Sequence, residues 1–471
     1  MATMFIGGER IRGSRSTEVT SPFDGTVIDT VPVAAPSEID RALAVAEGGA
    51  KRLRKSTGHE RSQWLKKASE LLAARAQQFA ELISREEGKP LAESTFEVSR
   101  AVQTLELSAE EARRIVGEMI PLDGAAGNGD KIGFTLRVPC GVVAAITPFN
   151  FPLNLVAHKL GPAIAAGNSV LLKPASDTPL SGLKLVELLL EANVPPDAIQ
   201  GVTGPGGELS QALCGDRRVR KISFTGSFDV GERICKVAGM KRVTMELGSN
   251  APLIVMDDAN LDKVIRATVA TGYSNAGQVC ISTQRVLVDS KVYGDFLDGL
   301  KPKVEALTLG DPLKPETTLG PMIREADAAR VTSWIREAVE QGARLVTGKE
   351  REGTKVPPAI VADVHPNMRI VREELFGPAV TVQAFSDLEA AIALANDSRY
   401  GLAAGIFTEN LGRAMKFIRE VDSGNLHVNW GPAWRADLMP YGGLKDSGMG
   451  KEGPAFAIQE MTEQKMVVLH L

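Results

Sequence analysis

Four places along the 471-residue chain put reactive or charge-stabilising side chains where chemistry is feasible. Asn275-Ala-Gly-Gln-Val-Cys280 sets a cysteine behind small and polar residues, a context for an exposed turn or helix start. There a thiolate is reachable and can attack an electrophile. The same context also fits a structural cysteine, and Cys140, Cys214 and Cys235 read first as small buried hydrophobes. Met245-Glu246-Leu247-Gly248 follows the strand-like Arg242-Val-Thr-Met245 and places a carboxylate at a strand end, where α/β proteins gather ligands beyond the sheet. A solvated turn glutamate has the same local signature. In Thr147-Pro-Phe-Asn150-Phe-Pro152 an asparagine is confined between prolines. Its amide can donate to an oxyanion together with a backbone N–H near Cys280, or it can simply serve a turn. Gly226-Ser-Phe-Asp-Val-Gly231 lies between a strand and a helix, where free N–H groups and the helix dipole suit a pyrophosphate. It lacks the GxGxxG spacing, and a tight connection is its other reading.

The elements that must position these residues follow from texture. Ile39 to Glu118 is rich in Ala, Leu, Glu, Lys and Arg and predicts a helical block. From Gly141 onward, short apolar runs such as Gly141-Val-Val-Ala-Ala-Ile146 and Ser169-Val-Leu-Leu172 alternate with helical stretches, the pattern of parallel sheets flanked by helices. A second such cycle begins near Ala251 and runs through Phe407, so two α/β units follow one another. Ile132 to Val138 reads as a strand after a loop-like segment. So does Lys465 to Leu471, an apolar terminal strand that needs a partner and is expected to find one in another subunit. A chain of this length exceeds one ordinary core and implies two or three domains.

Composition excludes other classes. With 44% hydrophobic and 24% charged residues and a net charge of -4, the chain is globular and has no electrostatic footprint for nucleic acid. The first 25 residues lack the apolar core of a signal peptide, and no run of 18 apolar residues occurs. Four scattered cysteines make neither a disulfide framework nor a CxxC metal site. A cytoplasmic protein without a metal, membrane or nucleic-acid partner is expected.

Taken in series, Thr147-Pro-Phe-Asn-Phe-Pro152, Leu172-Lys-Pro-Ala175, Phe224-Thr-Gly-Ser227, Met245-Glu-Leu-Gly248, Gly277-Gln-Val-Cys280 and Glu373-Glu-Leu-Phe-Gly-Pro378 resemble the aldehyde dehydrogenase superfamily in order and spacing over nearly the whole chain. The resemblance implies a modified Rossmann cofactor domain (1–120 and 139–248), a second α/β catalytic domain (249–435) and a small β arm (121–138 and 452–471) that joins subunits into a homodimer or homotetramer. It implies that Cys280 is the nucleophile, that Asn150 and the Cys280 N–H hold the oxyanion, and that Glu246 activates the water that releases the acid. NAD or NADP would lie along Ile146, Thr147, Pro148, Phe149, Lys173, Ser176, Gly204, Phe224, Thr225, Gly226, Ser227, Leu247, Glu374 and Phe376. One departure bears on the coenzyme. Three positions after Lys173, where NAD-preferring relatives often carry a glutamate that repels a 2′-phosphate, stands Ser176. NADP is therefore expected to be tolerated, although Asp177 adds a nearby negative charge and no arginine is adjacent.

The family's aldehyde-tunnel positions correspond to Arg100, His158 and Arg435. Three potential cations converging on one tunnel point to a small polar or anionic aldehyde, because an arginine fork grips a carboxylate, phosphate, phosphonate or sulfonate at two points. Sulfolactaldehyde, phosphonoacetaldehyde, succinic semialdehyde, lactaldehyde and glyceraldehyde 3-phosphate all fit. Each residue also has a plain alternative: a solvated helix arginine, a satisfied core histidine and a surface loop charge. Two rival functions stand beside this one. The first is a CoA-acylating semialdehyde dehydrogenase, against which Glu246 speaks because acylating relatives commonly lack that base. The second is a non-catalytic binding or structural homologue.

Overall fold

The computed structural model describes residues 1–471 and is a mixed α/β protein built on two large sheets. Val142–Ile146 and Ser169–Lys173 are buried at every position, so their sequences are continuous apolar runs rather than alternations. They form the middle of an eight-stranded sheet, flanked by Ile199–Gly201 on one side and by Val219–Thr225 and Arg242–Glu246 on the other, all five parallel. The edges are closed by antiparallel strands from distant parts of the chain. Met4–Ile6 and Glu9–Ile11 lie at one edge, and Gly448–Met449 pairs with Arg242–Glu246 at the other.

The predicted helical block appears as Pro36–Leu53, Gly58–Ala74, Ala76–Glu87 and Leu91–Glu111. Gly58–Ala74 begins at a capping box in which Thr57 accepts the Glu60 N–H and Glu60 accepts the Thr57 N–H. Against these helices packs Asn154–Ala165, buried along its whole length. The second sheet has seven strands in the order Arg344–Thr347, Ala359–Ala362, Ala379–Phe385, Arg285–Asp289, Pro252–Val255, Ala403–Phe407 and Asn425–Val428. Only its first pair is antiparallel. Separate apolar cores lie beneath the two sheets.

Two features differ from expectation. The terminal strand Thr462–His470 finds its partner in Lys131–Pro139 of its own chain, pairing antiparallel at the edge of a three-stranded sheet, with its other edge left open. Helix Pro454–Glu460, grouped by sequence with the arm, instead packs Ile458 into the first core together with Met461 just beyond its end, and the arm strand begins at Thr462. The chain between Arg435 and Glu452 therefore crosses back from the second sheet to the end of strand Arg242–Glu246. No helix is long and apolar enough to cross a membrane.

Candidate active site

Helix Leu261–Gly272 gives way to a turn in which Asn275, Ala276 and Gly277 have φ of 49°, 53° and 69°. Left-handed backbone costs a non-glycine residue about 1 kcal/mol or more, so the surroundings must hold it. The half-buried Glu93 accepts the Asn275 N–H at 2.8 Å and the Ser274 hydroxyl at 3.1 Å, and the buried Glu87 accepts the Asn275 side-chain amide at 2.8 Å. Gly277 is obligatory, because a Cβ there would lie 2.0 Å from the Gly377 carbonyl oxygen. The turn delivers Cys280 to a cleft beside Asn150, whose amide donates to the Gln278 carbonyl at 2.7 Å. The Asn150 carbonyl in turn accepts from Lys89 at 2.6 Å and Asn275 at 3.3 Å. Lys89 is buried against Glu97 at 2.5 Å, and the other Glu97 oxygen takes the N–H groups of Leu153 and Asn154 at 2.9 and 3.0 Å. One buried network thus fixes the cysteine loop and the asparagine relative to each other.

Cys280 is half-buried, and its sulfur lies 3.2 Å from the Tyr441 hydroxyl. Burial pushes the thiol up to about 12, with the Tyr441 hydrogen bond pulling the other way. Glu246 ends its strand with both carboxyl oxygens buried and without a hydrogen-bond partner. Burial, and then the negative charge of Glu452, hold its carboxyl protonated well above the usual carboxylate range. A carboxyl in this environment ionises late, and once ionised it is a stronger proton acceptor than an ordinary carboxylate.

A cavity of about 1210 Å³ opens from these three residues. Its wall contains every residue expected along the cofactor except Gly204, which lies one step behind and accepts the Ser176 hydroxyl at 3.2 Å. Strand Val219–Thr225 runs through Gly226 and Ser227 into helix Phe228–Ala238, whose first N–H groups face the cavity end of the sheet. Gly231 lets that helix approach, since a Cβ there would sit 2.6 Å from the Leu247 side chain. The Lys173 ammonium bonds only the Pro174 carbonyl at 3.0 Å and is drawn down to about 8 by burial, and the buried Thr147 hydroxyl has no partner. Phe149 and Phe376 meet edge to face at 5.9 Å, and Glu374 accepts the Ser249 N–H at 2.8 Å and is raised to about 7 by burial. A helix N-terminus for a pyrophosphate, unfilled donors for ribose hydroxyls and an aromatic wall for a flat ring fit a nicotinamide dinucleotide. At the rim the absence of an adjacent arginine is corrected, because Arg324, 147 positions away, clamps Asp177 through both carboxylate oxygens.

Arg100, His158 and Arg435 come together, but against two carboxylates that sequence reasoning missed. Asp437 takes both Arg100 nitrogens at 2.8 and 3.1 Å and the His158 Nε2–H at 2.8 Å. With Arg435 donating to its Nδ1 at 3.2 Å and burial holding it down at about 4, His158 is a neutral, satisfied core histidine rather than a third cation. Arg435 is no surface charge: its side chain is 5% exposed and pairs with Glu452 at 3.0 Å, while Lys159 pairs with the same carboxylate at 2.8 Å. The Arg435 Nε is buried without a partner. None of the three lines the large cavity. Tyr441 lies in Pro440-Tyr-Gly-Gly443, a stretch from which sequence reasoning drew no candidate residue. Lys89, Glu97, Lys159, Asp437 and Glu452 carry no local mark of their roles.

A family model described as the aldehyde dehydrogenase family matches residues 11–467. The 3-sulfolactaldehyde dehydrogenase of Priestia megaterium is 45% identical over 468 residues, spanning 99% of this chain and 98% of that protein. The lactaldehyde dehydrogenase of Methanococcus aeolicus is 36% identical over 471 residues, spanning 99% and 100%. In three dimensions, the NADP-dependent glyceraldehyde-3-phosphate dehydrogenase of Bacillus halodurans, complexed with NADP, matches with a TM-score of 0.97 at 36% identity, covering 100% of this chain and 99% of that one. This chain therefore belongs to the aldehyde dehydrogenase family and is an NAD(P)-dependent aldehyde dehydrogenase.

Proposed function

We propose that the enzyme oxidises a small aldehyde with a polar or anionic tail to its carboxylic acid. Cys280 attacks the aldehyde carbon, and the oxyanion that forms takes hydrogen bonds from the Asn150 amide and the Cys280 N–H. When bound along the cavity, the nicotinamide coenzyme supplies the hydride acceptor. Glu246 then takes a proton from the water that attacks the Cys280 thioester, and the acid departs as the thiol side is regenerated. The clustering of Cys280, Asn150 and Glu246 on one cavity wall supports these roles.

The observation that carries the anionic preference is the unpartnered, buried Arg435 Nε. The polar cluster around it holds three cations, Arg100, Arg435 and Lys159, against two carboxylates, Asp437 and Glu452. One negative charge from a substrate would balance that excess and fill the open donor. Similarity to an enzyme named for sulfolactaldehyde accords with this, while similarity to lactaldehyde dehydrogenases favours a second reading, a neutral hydroxyaldehyde. Ser176, with Asp177 neutralised by Arg324, supports use of both NADP and NAD. We assign the protein to the cytoplasm and infer that it works as a homodimer or homotetramer through the arm of Lys131–Pro139 and Thr462–His470.

Steady-state kinetics over short anionic and neutral aldehydes with both coenzymes test the proposal. Arg435→Leu is expected to raise KM for the anionic substrate about tenfold more than for a neutral aldehyde of the same size. The neutral aldehyde controls for any general disturbance from exposing Glu452, and equal effects on both would refute the anionic reading.

A further inference from the structure

The hydrogen bond between Tyr441 and Cys280 belongs to a site shaped for more than packing. Tyr441 is 3% exposed, and its hydroxyl stands 3.2 Å from the Cys280 sulfur. Its ring is held in an apolar cluster with Val279, Ile281, Leu402 and Ala403 that keeps water from this side of the sulfur. Two backbone hydrogen bonds with Glu452, at 3.2 and 2.7 Å, fix its main chain. The Arg435 guanidinium lies 4.0 Å from the ring centroid and is itself anchored by Glu452 and His158. A cation over the ring draws electron density from the phenol and makes its O–H a better donor.

We infer that Tyr441 is a further catalytic residue, whose hydroxyl donates to the Cys280 sulfur and stabilises its thiolate; this rests on the reading of Cys280 as the nucleophile. The nearby Glu374 and Glu246 carboxyls disfavour a thiolate at the sulfur once they ionise, so the stabilising group must add no negative charge of its own. A neutral phenol does that. In the resting state the S–H can donate to the Tyr441 oxygen. On ionisation the sulfur proton passes to solvent in the cavity and the phenol turns its O–H to the thiolate, neither gaining nor losing a proton overall. A hydrogen bond to an ionised partner is about twice as strong as a neutral one, so the pair favours the thiolate.

The test is the rate of Cys280 alkylation in the coenzyme-free enzyme from pH 6 to 10, for wild type and Tyr441→Phe, using both iodoacetamide and the smaller methyl methanethiosulfonate. Mass spectrometry confirms the modified residue, and the melting temperature confirms the fold. Removal of the hydroxyl is expected to displace the pH–rate curve upward by about one unit, or about tenfold in rate at each pH, equally for both reagents. Coincident curves, a faster variant, or a displacement seen with only the larger reagent would overturn the inference. The nucleophile assignment fails separately, if Cys280→Ser retains aldehyde oxidation or if inactivation of wild type occurs without modification of Cys280.

Discussion

Replacing Glu246 by Gln probes the second half of the reaction alone. The amide keeps the shape of the carboxyl, and no hydrogen bond is lost, because both Glu246 oxygens are buried without partners. Cys280 and Asn150 keep all their contacts, so acylation and hydride transfer should proceed. Loss of a general base costs about 10²–10⁴ in rate, equivalent to about 3–5 kcal/mol of barrier. Thioester hydrolysis should therefore become limiting, giving a burst of about one reduced coenzyme per subunit followed by slow turnover. Rapid-quench measurement of acid release from the preformed thioester isolates the affected step. Because the Glu246 carboxyl is held protonated well above the usual range by burial and by Glu452, wild-type release should climb about tenfold per pH unit until that group ionises. The Gln variant should show no such rise below the pH at which hydroxide itself reacts.

Stability carries the same signature with a defined sign. A carboxyl whose folded-state value lies above its unfolded one binds its proton more tightly when folded, so wild-type stability declines as pH rises from the ordinary carboxylate range toward the folded value. Glu246→Gln removes that decline. Its melting temperature should match wild type near pH 4 and equal or exceed it at pH 8. Release of acid by the variant at the wild-type rate with the wild-type pH rise, or the absence of any burst, would refute the assignment of Glu246 to thioester hydrolysis.

The coenzyme rim gives a paired prediction. Asp177→Asn frees Arg324 and should raise kcat/KM for NADP relative to NAD about fivefold, as expected for a partly exposed ion pair worth about 1 kcal/mol, while Arg324→Ala should shift the ratio the other way. Initial rates at subsaturating coenzyme decide it, and unchanged ratios in both variants would remove Arg324 from coenzyme choice. Gly277→Ala should cost about 2–4 kcal/mol in urea unfolding, because the position needs φ of 69° and its Cβ would collide with the Gly377 carbonyl. Wild-type stability in that variant would show that the cysteine turn is less constrained than its geometry implies.

Local patterns in the sequence were enough for the scaffold. Continuous apolar runs such as Val142-Val-Ala-Ala-Ile146 are short and bounded by turn residues, and burial on both faces of a parallel strand demands that composition. Placement of Glu246 and the Gly226-Ser227 turn at strand ends followed from the same alternation, since each lies where an apolar run stops. Resemblance across six motifs then singled out Cys280, Glu246 and Asn150, which local context left undecided. What tertiary structure alone decided is charge. Arg100 and Asp437 are 337 positions apart, Lys159 and Glu452 293, and Arg324 and Asp177 147, yet each pair is in contact. An isolated arginine or glutamate in a sequence reads as a solvated charge, and only folding shows which partner removes its cost of burial. The three tunnel cations read from sequence became one neutral histidine and two paired arginines for that reason. Tyr441 was invisible as chemistry for a related one: a hydroxyl becomes functional only when a fold sets it 3.2 Å from a particular sulfur.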